Sequence, residues 1–307
     1  MKNNRWLILL AKIILLTVVC YFFYCQFKRL NLENLSQVSP SAIWPIFICF
    51  LLIFVNWYFE FLKWNKSLNY IYPNTSRSIK VKSFMAGVLT GFMTPNLLGN
   101  FIGRIFYFDS SKRPALIGIT LFSNAAQFLA SILFGMISIF IIGLPKNINL
   151  GNSQLMIVLA LIICFTLVLI FLFLKKIPDF FFRWKWGQQL KESLQTPFLL
   201  RLRLLDLSLR RHIVFSLQYL FLLIAFGFSF EFENLFLIWQ VYFWSTLIPS
   251  IWFGKLIIRE SVALWIFGFY TDQLEAVLFA SVLLWLMNQG ITALIGIPYL
   301  KLNKQKA

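Results

Sequence analysis

Two hydrophobic stretches of this chain, 83–108 and 235–266, are each interrupted near the middle by a proline. The breaks, at Pro95 and Pro249, occupy matching places in the two halves of the sequence. An interrupted helix leaves backbone polar groups unpaired, and hydrocarbon cannot satisfy them. In a membrane protein, paired breaks of this kind indicate a site between two related halves, near the middle of the bilayer.

The composition places the chain among polytopic membrane proteins. Of its 307 residues, 60% are hydrophobic and only 13% are charged, and the mean hydropathy is +0.77. These values lie far from those of soluble domains. No polar segment is long enough to form a soluble core of its own.

The formal net charge of +17 does not indicate a nucleic-acid-binding protein. The basic residues fall in short loops between apolar runs rather than on one soluble face. Lysine and arginine in such loops are attracted to anionic lipid headgroups at a cytoplasmic membrane surface. Membrane lipids are therefore the expected partners.

The sequence predicts neither a disulfide framework nor a metal site or cofactor. The four cysteines lie in or beside apolar runs without a CxxC pair or any metal-ligand spacing. The basic N-terminus precedes an apolar run without a small-residue cleavage site, so we expect an uncleaved first helix.

Six runs are long enough to cross about 30 Å of hydrocarbon, which requires about 20 apolar residues. The arms on either side of each proline have roughly 12 to 16 residues, and at 1.5 Å per residue an arm of 12 reaches only about 18 Å. Each arm therefore crosses about half of the bilayer. The predicted spans are 6–25, 42–62, 115–143, 154–174, 212–230 and 275–299.

Loop charges favour re-entrant hairpins at the two broken stretches, because cytoplasmic loops accumulate lysine and arginine. If both stretches turn back, nearly all loop cations lie on one side and only Lys28, Arg29 and Lys146 on the other. If both cross, the basic segment 175–211 lies outside. The sequence thus predicts an all-α integral membrane fold: six full spans plus two proline-broken re-entrant helical hairpins in an inverted-topology repeat, with both termini cytoplasmic.

We expect a single polytopic membrane domain. Its first half covers 1–174, a basic linker covers 175–211, and the second half covers 212–300. Aromatic residues alternate with cations in the linker, which is typical of a segment at the membrane interface. An ordinary connector without a regulatory role is the simpler interpretation of it.

The helix that follows each proline would begin near the bilayer centre, where its first N–H groups have no partners. These donors and the positive end of the helix dipole form a weak anion site. Asn96 and Ser250 directly follow the two prolines, so the two ends could face each other and hold a phosphate. The alternative is that Pro95 and Pro249 merely kink packed helices.

Charged residues within apolar runs need a partner, a wet cavity or a route to the interface. We expect Lys12, Glu60 and Asp109 to reach the interface from the ends of their spans. Arg104 is nine residues past Pro95, roughly 14 Å along a helix, and Arg259 is similarly placed after Pro249. Both are expected near a membrane surface, where they would receive an anionic headgroup.

Glu260 is expected to neutralise a cation of the other half or to titrate as a coupling carboxylate, and a structural salt bridge is an equally good interpretation. Polar residues in the middle of the flanking spans are predicted to line the same cavity, namely Asn124, Gln127, Asn288 and Gln289. Amide bonding between helices explains them nearly as well. The predicted substrate-binding residues are Pro95, Asn96, Gly99, Asn100, Gly103, Arg104, Pro249, Ser250, Gly254, Lys255, Arg259 and Glu260.

Enzymatic chemistry is not indicated. The single histidine, His212, stands at the end of a span, where an interfacial role is expected, and no GxSxG, HExxH, P-loop or GxGxxG motif occurs. The alternative is an integral-membrane transferase acting on a lipid-linked substrate, with Glu60 or Glu260 as the base.

The two proline motifs resemble the lysylphosphatidylglycerol synthase transmembrane-region family, whose members are called flippase-like. The first block, Thr94-Pro95 through Gly99 and Gly103 to Arg104, is similar to that family's first motif. The second, Pro249 through Gly254 to Arg259-Glu260, is similar to its second. The resemblance extends over about 10–300, although many relatives carry an acidic residue where Asn100 stands.

This resemblance implies a bacterial inner-membrane protein that moves an anionic or headgroup-modified lipid between leaflets. The substrate would be an anionic phospholipid or a polyprenyl-linked lipid. No soluble aminoacyltransferase domain follows residue 300, so synthesis of the lysyl lipid is not expected. A third hypothesis is a non-transporting membrane partner that docks a lipid-modifying synthase through 175–211, and homo-oligomerisation is also left open.

Overall fold

The computed structural model describes residues 39–92, 99–144, 153–173, 195–248 and 254–299, together with Thr17, Tyr21 and Tyr24. All regular elements within these ranges are helical. We number the helices α1 (Trp44–Ile71), α2 (Arg77–Phe92), α3 (Gly99–Ile105), α4 (Arg113–Ile142), α5 (Ser153–Phe173), α6 (Phe198–Ala225), α7 (Phe232–Leu247), α8 (Gly254–Phe267) and α9 (Leu274–Trp285).

Helix α9 continues beyond its regular part. A π-helical turn, Leu286–Ile291, follows it directly, and then a short α-helix, Thr292–Gly296, and a 3₁₀ turn, Ile297–Tyr299. A 3₁₀ turn, Ser110–Lys112, also leads into α4.

Within the described ranges, four helices are long and apolar enough to cross a membrane, so the chain is a helical multi-pass membrane protein. They are Trp44–Ile71, Ser110–Ile142, Phe198–Ala225 and Leu274–Tyr299. They overlap the predicted spans 42–62, 115–143, 212–230 and 275–299. The predicted span 154–174 is helical in α5, and the predicted span 6–25 lies, apart from three residues, outside the described part of the chain.

Helix α1 has a buried face that carries polar residues and an exposed face that is apolar. One face, with residues spaced three and four apart, is buried and includes Asn56, Glu60, Lys63 and Ser67. The opposite face carries exposed Phe47, Leu51, Phe54 and Tyr58. In water this arrangement would be costly, whereas in lipid the exposed face is solvated and the polar face needs partners within the bundle.

Helices α1 and α6 pack antiparallel along their whole length. At one end the backbone N–H of Ser41 donates to the carbonyl of Ala225 over 2.7 Å. Further along, Gln218 Nε2 donates to the Cys49 carbonyl over 3.2 Å. Arg211 Nε donates to Asn56 Oδ1 over 2.8 Å near the middle of both helices. The first long helices of the two halves therefore run in opposite directions.

The two arms of the first broken stretch, α2 and α3, fold back on one another. Thr90 Oγ1 donates to the Gly99 carbonyl, and the Gly103 N–H donates to Thr90 Oγ1 over 3.1 Å. A Cβ on Gly103 would overlap the Ala86 carbonyl oxygen and Thr90 Oγ1. Glycine at this position is thus a condition of the close helix contact.

Helices α7 and α8 form the corresponding pair in the second half. The ring of Phe228, just before α7, lies 6.1 Å from that of Phe267 at the end of α8. Trp244, near the end of α7, also lies 6.1 Å from Trp265, near the end of α8. The two helices therefore pack on each other. Pro95, Asn96, Pro249 and Ser250, which stand at the two breaks, lie outside the described residues.

Contacts between the halves occur in matching pairs. Helix α4 packs on α7, where Ser138 Oγ donates to the Phe236 carbonyl over 2.7 Å and Gln240 Nε2 to the Gly143 carbonyl over 2.8 Å. Helix α2 packs on the end of α9, where a Cβ on Gly296 would lie 2.9 Å from the Met85 carbonyl oxygen. The helix pair α2–α3 thus packs on the last long helix of the second half, and the pair α7–α8 packs on the last long helix of the first half.

Two helices are longer than the sequence predicted. Helix α1 continues to Ile71, beyond the expected end at 62. Helix α6 begins at Phe198, within the segment 175–211 that was assigned to a linker. The guanidinium of Arg201 is one reason: it is buried and donates to the carbonyls of Thr196 and Phe171 over 2.8 and 3.0 Å. Residues 175–194 of that linker lie outside the described ranges.

We expect Gly103→Ala to destabilise the protein by about 1–3 kcal/mol, because the added methyl group overlaps α2 and must push the two helices apart. Gly91→Ala is a matched control on the same hairpin, since its Cβ would meet Asn100 Cβ at 3.4 Å, an ordinary contact. Thermal unfolding of both variants in detergent measures the difference. Equal melting temperatures would contradict the helix contact described here.

Candidate functional site

Glu60 lies at the centre of a cluster that contains three cations. Its Oε2 accepts from Lys63 Nζ over 3.1 Å and from Arg211 Nη1 over 3.0 Å. Its Oε1 accepts from Arg104 Nη2 over 3.2 Å. The partners come from α1, α3 and α6, so one carboxylate joins three helices and both halves of the chain.

This cluster is buried. Glu60 is 6% exposed, and Lys63 and Arg104 are each 1% exposed, while the Arg211 side chain is 17% exposed. Counted formally, three cations and one carboxylate leave an excess of two positive charges. Uncompensated charge in a low-dielectric interior is costly unless a partner or water neutralises it.

Aromatic rings and a glycine hold Arg104 in this position. Its guanidinium carbon lies 4.7 Å from the ring centroid of Trp64 and 5.6 Å from that of Phe84, which is cation–π geometry. On the neighbouring helix, a Cβ on Gly87 would lie 2.7 Å from Arg104 Cγ. The absence of a side chain at Gly87 thus lets the arginine pass over α2.

A row of amide side chains extends the cluster towards α9. Asn56 Nδ2 donates to Asn288 Oδ1 over 2.6 Å, and Asn288 Nδ2 donates to Gln218 Oε1 over 3.2 Å. Asn288 and its neighbour Gln289 lie on the π-helical turn Leu286–Ile291. Such turns rotate successive side chains relative to a regular helix and are frequent at functional sites.

A cavity of about 520 Å³ lies beside the cluster, between the two halves. Glu60, Arg104 and Arg211 are its charged lining residues. Its polar lining comes from several helices: Asn100, Asn124, Gln127, Ser245, Thr246 and Gln289. Its size is within the range of pockets that hold small ligands.

The structure brings five of the sequence-predicted residues to this cavity: Asn100, Arg104, Asn124, Gln127 and Gln289. Asn288 is connected to it through Asn56. Gly99 and Gly103 lie in the contact between α2 and α3. Gly254 begins α8, and the side chain of Lys255 lies outside the described part of the chain.

Arg259 and Glu260 form a separate pair. Arg259 Nη2 donates to Glu260 Oε1 and to the Ser281 carbonyl, both over 2.7 Å. Ser281 Oγ donates to the other oxygen of Glu260. Glu260 is therefore paired with its neighbour in sequence rather than with a cation of the other half, because the carboxylate and the guanidinium both turn towards α9.

All four cluster residues differ from their expected positions. Glu60 does not reach the interface, because α1 extends eleven residues past it and places it well inside the helix. Arg104 is not near a surface, since its side chain turns inward to Glu60. Arg211 was assigned to the linker and instead lies near the middle of α6.

Lys63 lies just past the predicted span 42–62 and was therefore expected in a loop, but it is buried beside Glu60. Its spacing of three from Glu60 on one helix was the available signal, because residues so spaced share a face. An intramembrane carboxylate also requires cationic partners. Neither signal identifies Arg211, which is distant in sequence.

His212 is fully buried rather than interfacial. Its ring stacks on Phe134 with centroids 4.6 Å apart, and its Nδ1 lies 3.5 Å from Ser131 Oγ. Because α6 begins at Phe198, His212 lies near the middle of the helix rather than at its end. Aromatic side chains of α4 and α7 enclose it there. Among the described residues, no group of three or more His, Cys, Asp or Glu side chains is suited to hold a metal ion.

Comparison with known proteins gives no match: no protein-family model and no curated protein matches this chain.

We expect Glu60→Gln to destabilise the protein by about 3–5 kcal/mol, because it leaves three buried cations without their shared counterion. Asp206→Asn is the matched control: it removes a carboxylate from an exposed pair with Arg210, worth about 1 kcal/mol or less. Denaturant unfolding in detergent compares the two. A Glu60→Gln protein as stable as the Asp206→Asn protein would contradict the role assigned to Glu60.

Proposed function

We propose that this protein is a bacterial inner-membrane lipid translocator that moves an anionic or headgroup-modified lipid between leaflets through the cavity between its halves. The observation that carries the proposal is the excess of positive charge beside this cavity, within a bundle of membrane-spanning helices. Charge in such a position is costly and is retained where function requires it.

The helix pairs support a re-entrant arrangement. Helices α2 and α3 fold back on each other, α7 and α8 pack on each other, and neither pair belongs to the four helices of the described residues that are long enough to cross. In the proposed topology they are hairpins that enter from opposite faces. The antiparallel packing of α1 on α6 supports an inverted-topology repeat of the two halves.

The complete proposed arrangement has six spans, the four long helices together with α5 and the segment 6–25, and both termini in the cytoplasm. This topology agrees with the resemblance of the two proline motifs to the lysylphosphatidylglycerol synthase transmembrane region. The resemblance implies a lipid with an anionic or modified headgroup, and the positive charge beside the cavity supports an anionic one.

In the proposed mechanism, the headgroup enters the cavity while the acyl chains stay in the bilayer, against the apolar faces of the helices. The guanidinium groups of Arg104 and Arg211 bind the anion and offset its loss of water. Within the described residues, Glu60–Arg211 is the one salt bridge that joins the two halves. Rocking of the halves, which alternates access, requires this pair to be remade.

We expect Arg211→Gln to slow leaflet exchange of an anionic lipid by about tenfold or more, because one charge-assisted contact to the headgroup is lost. Arg210→Gln is the matched control, since Arg210 is the next residue on α6 but is exposed and paired with Asp206. Exchange is measured in reconstituted vesicles with fluorescent phosphatidic acid and phosphatidylglycerol, by quenching of the outer leaflet.

The proposal is wrong if the wild-type protein gives no more exchange than protein-free vesicles. It is also wrong in its choice of cavity if the Arg211→Gln and Arg210→Gln proteins exchange lipids at the same rate. Circular dichroism of both variants checks that the helices are retained.

A second prediction concerns topology. Single cysteines at Ser110 and Glu233, both exposed, should be labelled by an impermeant maleimide from opposite sides of the membrane, in a background without the four native cysteines. Three proposed spans, 115–143, 154–174 and 212–230, lie between these positions, and an odd number of crossings places them on opposite sides. Labelling of both from the same side would exclude it.

A further inference from the structure

We infer that the cavity selects lipids whose headgroup carries two negative charges on phosphate, a phosphomonoester or a diphosphate, over singly charged phosphodiester lipids. The inference rests on the proposed function and names its substrate class.

The charge count around the cavity is the first step. Lys63, Arg104 and Arg211 share the single carboxylate of Glu60 at 3.1, 3.2 and 3.0 Å, which leaves a formal excess of two positive charges. Arg104 and Arg211 line the cavity together with Glu60, whereas Lys63 does not. No other charged side chain of the described residues lines it.

Among the described residues, Glu60 is the only carboxylate that lines the cavity. On α8, Glu260 is bound to Arg259, and on α6, His212 is enclosed by aromatic rings. The acidic Glu233 of α7 is exposed. An anion with two charges therefore balances the site, whereas a phosphodiester leaves one positive charge uncompensated in a low-dielectric interior.

The hydrogen-bond donors around the cavity suit a phosphate. Arg104 Nε is buried and has no hydrogen-bond partner among the described residues, and the guanidinium of Arg211 retains exposure to the cavity side. Guanidinium groups present their N–H donors in a fork that matches phosphate oxygens. Asn124 on α4 and Ser245 and Thr246 on α7 add neutral donors on other walls.

The cavity volume limits what it holds. About 520 Å³ accommodates a phosphate group with a small substituent, at the lower part of the range for ligand pockets. The hydrocarbon chains of the lipid remain outside, where the helices present exposed apolar side chains. Recognition thus depends on the headgroup.

The direct test measures binding to the wild-type protein in nanodiscs of neutral phosphatidylcholine at pH 8. Dioleoyl phosphatidic acid, a phosphomonoester, should bind about tenfold or more tightly than dioleoyl phosphatidylglycerol, a phosphodiester of equal chain length, because one further charge is neutralised. Lowering the pH to 5 should remove this preference, since a phosphomonoester loses its second charge with a pKa near 6. Equal affinities at pH 8 would overturn the inference.

Competition with inorganic phosphate distinguishes a site for a lipid headgroup from a site for free phosphate. Weak competition by phosphate against bound phosphatidic acid is the expected result, because the chains of the lipid add binding free energy in the bilayer. Phosphate that binds in the absence of the lipid and excludes phosphatidic acid completely would show that the site takes a free anion, and would overturn the assignment to a lipid.

Substitution of the arginines and substitution of Glu60 should change the preference for phosphatidic acid over phosphatidylglycerol in opposite directions. Arg104→Gln and Arg211→Gln should each bring the affinity for phosphatidic acid close to that for phosphatidylglycerol, whereas Arg210→Gln should leave the ratio unchanged. Glu60→Gln should tighten phosphatidic acid binding several-fold, because a third positive charge is left uncompensated. A folded Glu60→Gln protein that binds neither lipid would contradict the charge count.

If Arg104→Gln does not fold, Arg211→Lys supplies the second variant, which keeps the charge and should keep a preference for phosphatidic acid with lower affinity. Leaflet exchange separates the two hypotheses. Preferential binding of phosphatidic acid without any exchange would refute translocation and leave the headgroup assignment in place. Exchange of both lipids at equal rates, with equal affinities, would support translocation and refute the headgroup assignment.

Discussion

The carboxylate of Glu60 is the interaction on which the centre of this protein depends. It accepts from Lys63 on its own helix, from Arg104 on the hairpin α2–α3 and from Arg211 on the other half. Because these cations repel one another, their convergence requires a shared anion. The position of α3 against α1 and the register of α1 on α6 are therefore coupled through one side chain. The same side chain leaves the cavity with its positive excess, since it cannot neutralise all three partners.

The polar face of α1 points into the bundle because polar contacts hold these helices together in the membrane. In lipid, apolar side chains gain nothing by packing inside rather than outside, so association depends on polar contacts and close packing. The contacts between Asn56, Asn288 and Gln218 and the glycine contacts at Gly103 and Gly87 supply both. The cavity lies beside these contacts and is lined by Glu60, Arg104, Arg211 and neutral polar side chains such as Asn124 and Gln127. Its polarity is a consequence of the interactions that hold the helices together.

The sequence predicted much of the helical architecture and part of the site. Hydrophobic run length identified the four long helices, because a crossing helix must be apolar over about 20 residues. The matched prolines led to Asn100 and Arg104, which the structure brings to the cavity wall. Run length failed at Lys63 and Arg211, because it ends a span at the first cluster of polar residues. Buried polar residues continue a membrane helix when distant partners neutralise them, and a single sequence does not show those partners.

The two halves use their equivalent arginines differently. Arg104 and Arg259 occupy corresponding places after the two breaks, yet Arg259 has a counterion in the next residue, Glu260, and a further acceptor in the Ser281 carbonyl. Arg104 is followed by Ile105 and shares its counterion with two other cations. Of these two equivalent arginines, Arg104 is the one that lines the cavity, and Arg211 on α6 supplies the second guanidinium of the site. In the proposed inverted repeat the site is thus asymmetric, and in the proposed translocation a headgroup from either leaflet would meet the same pair of arginines.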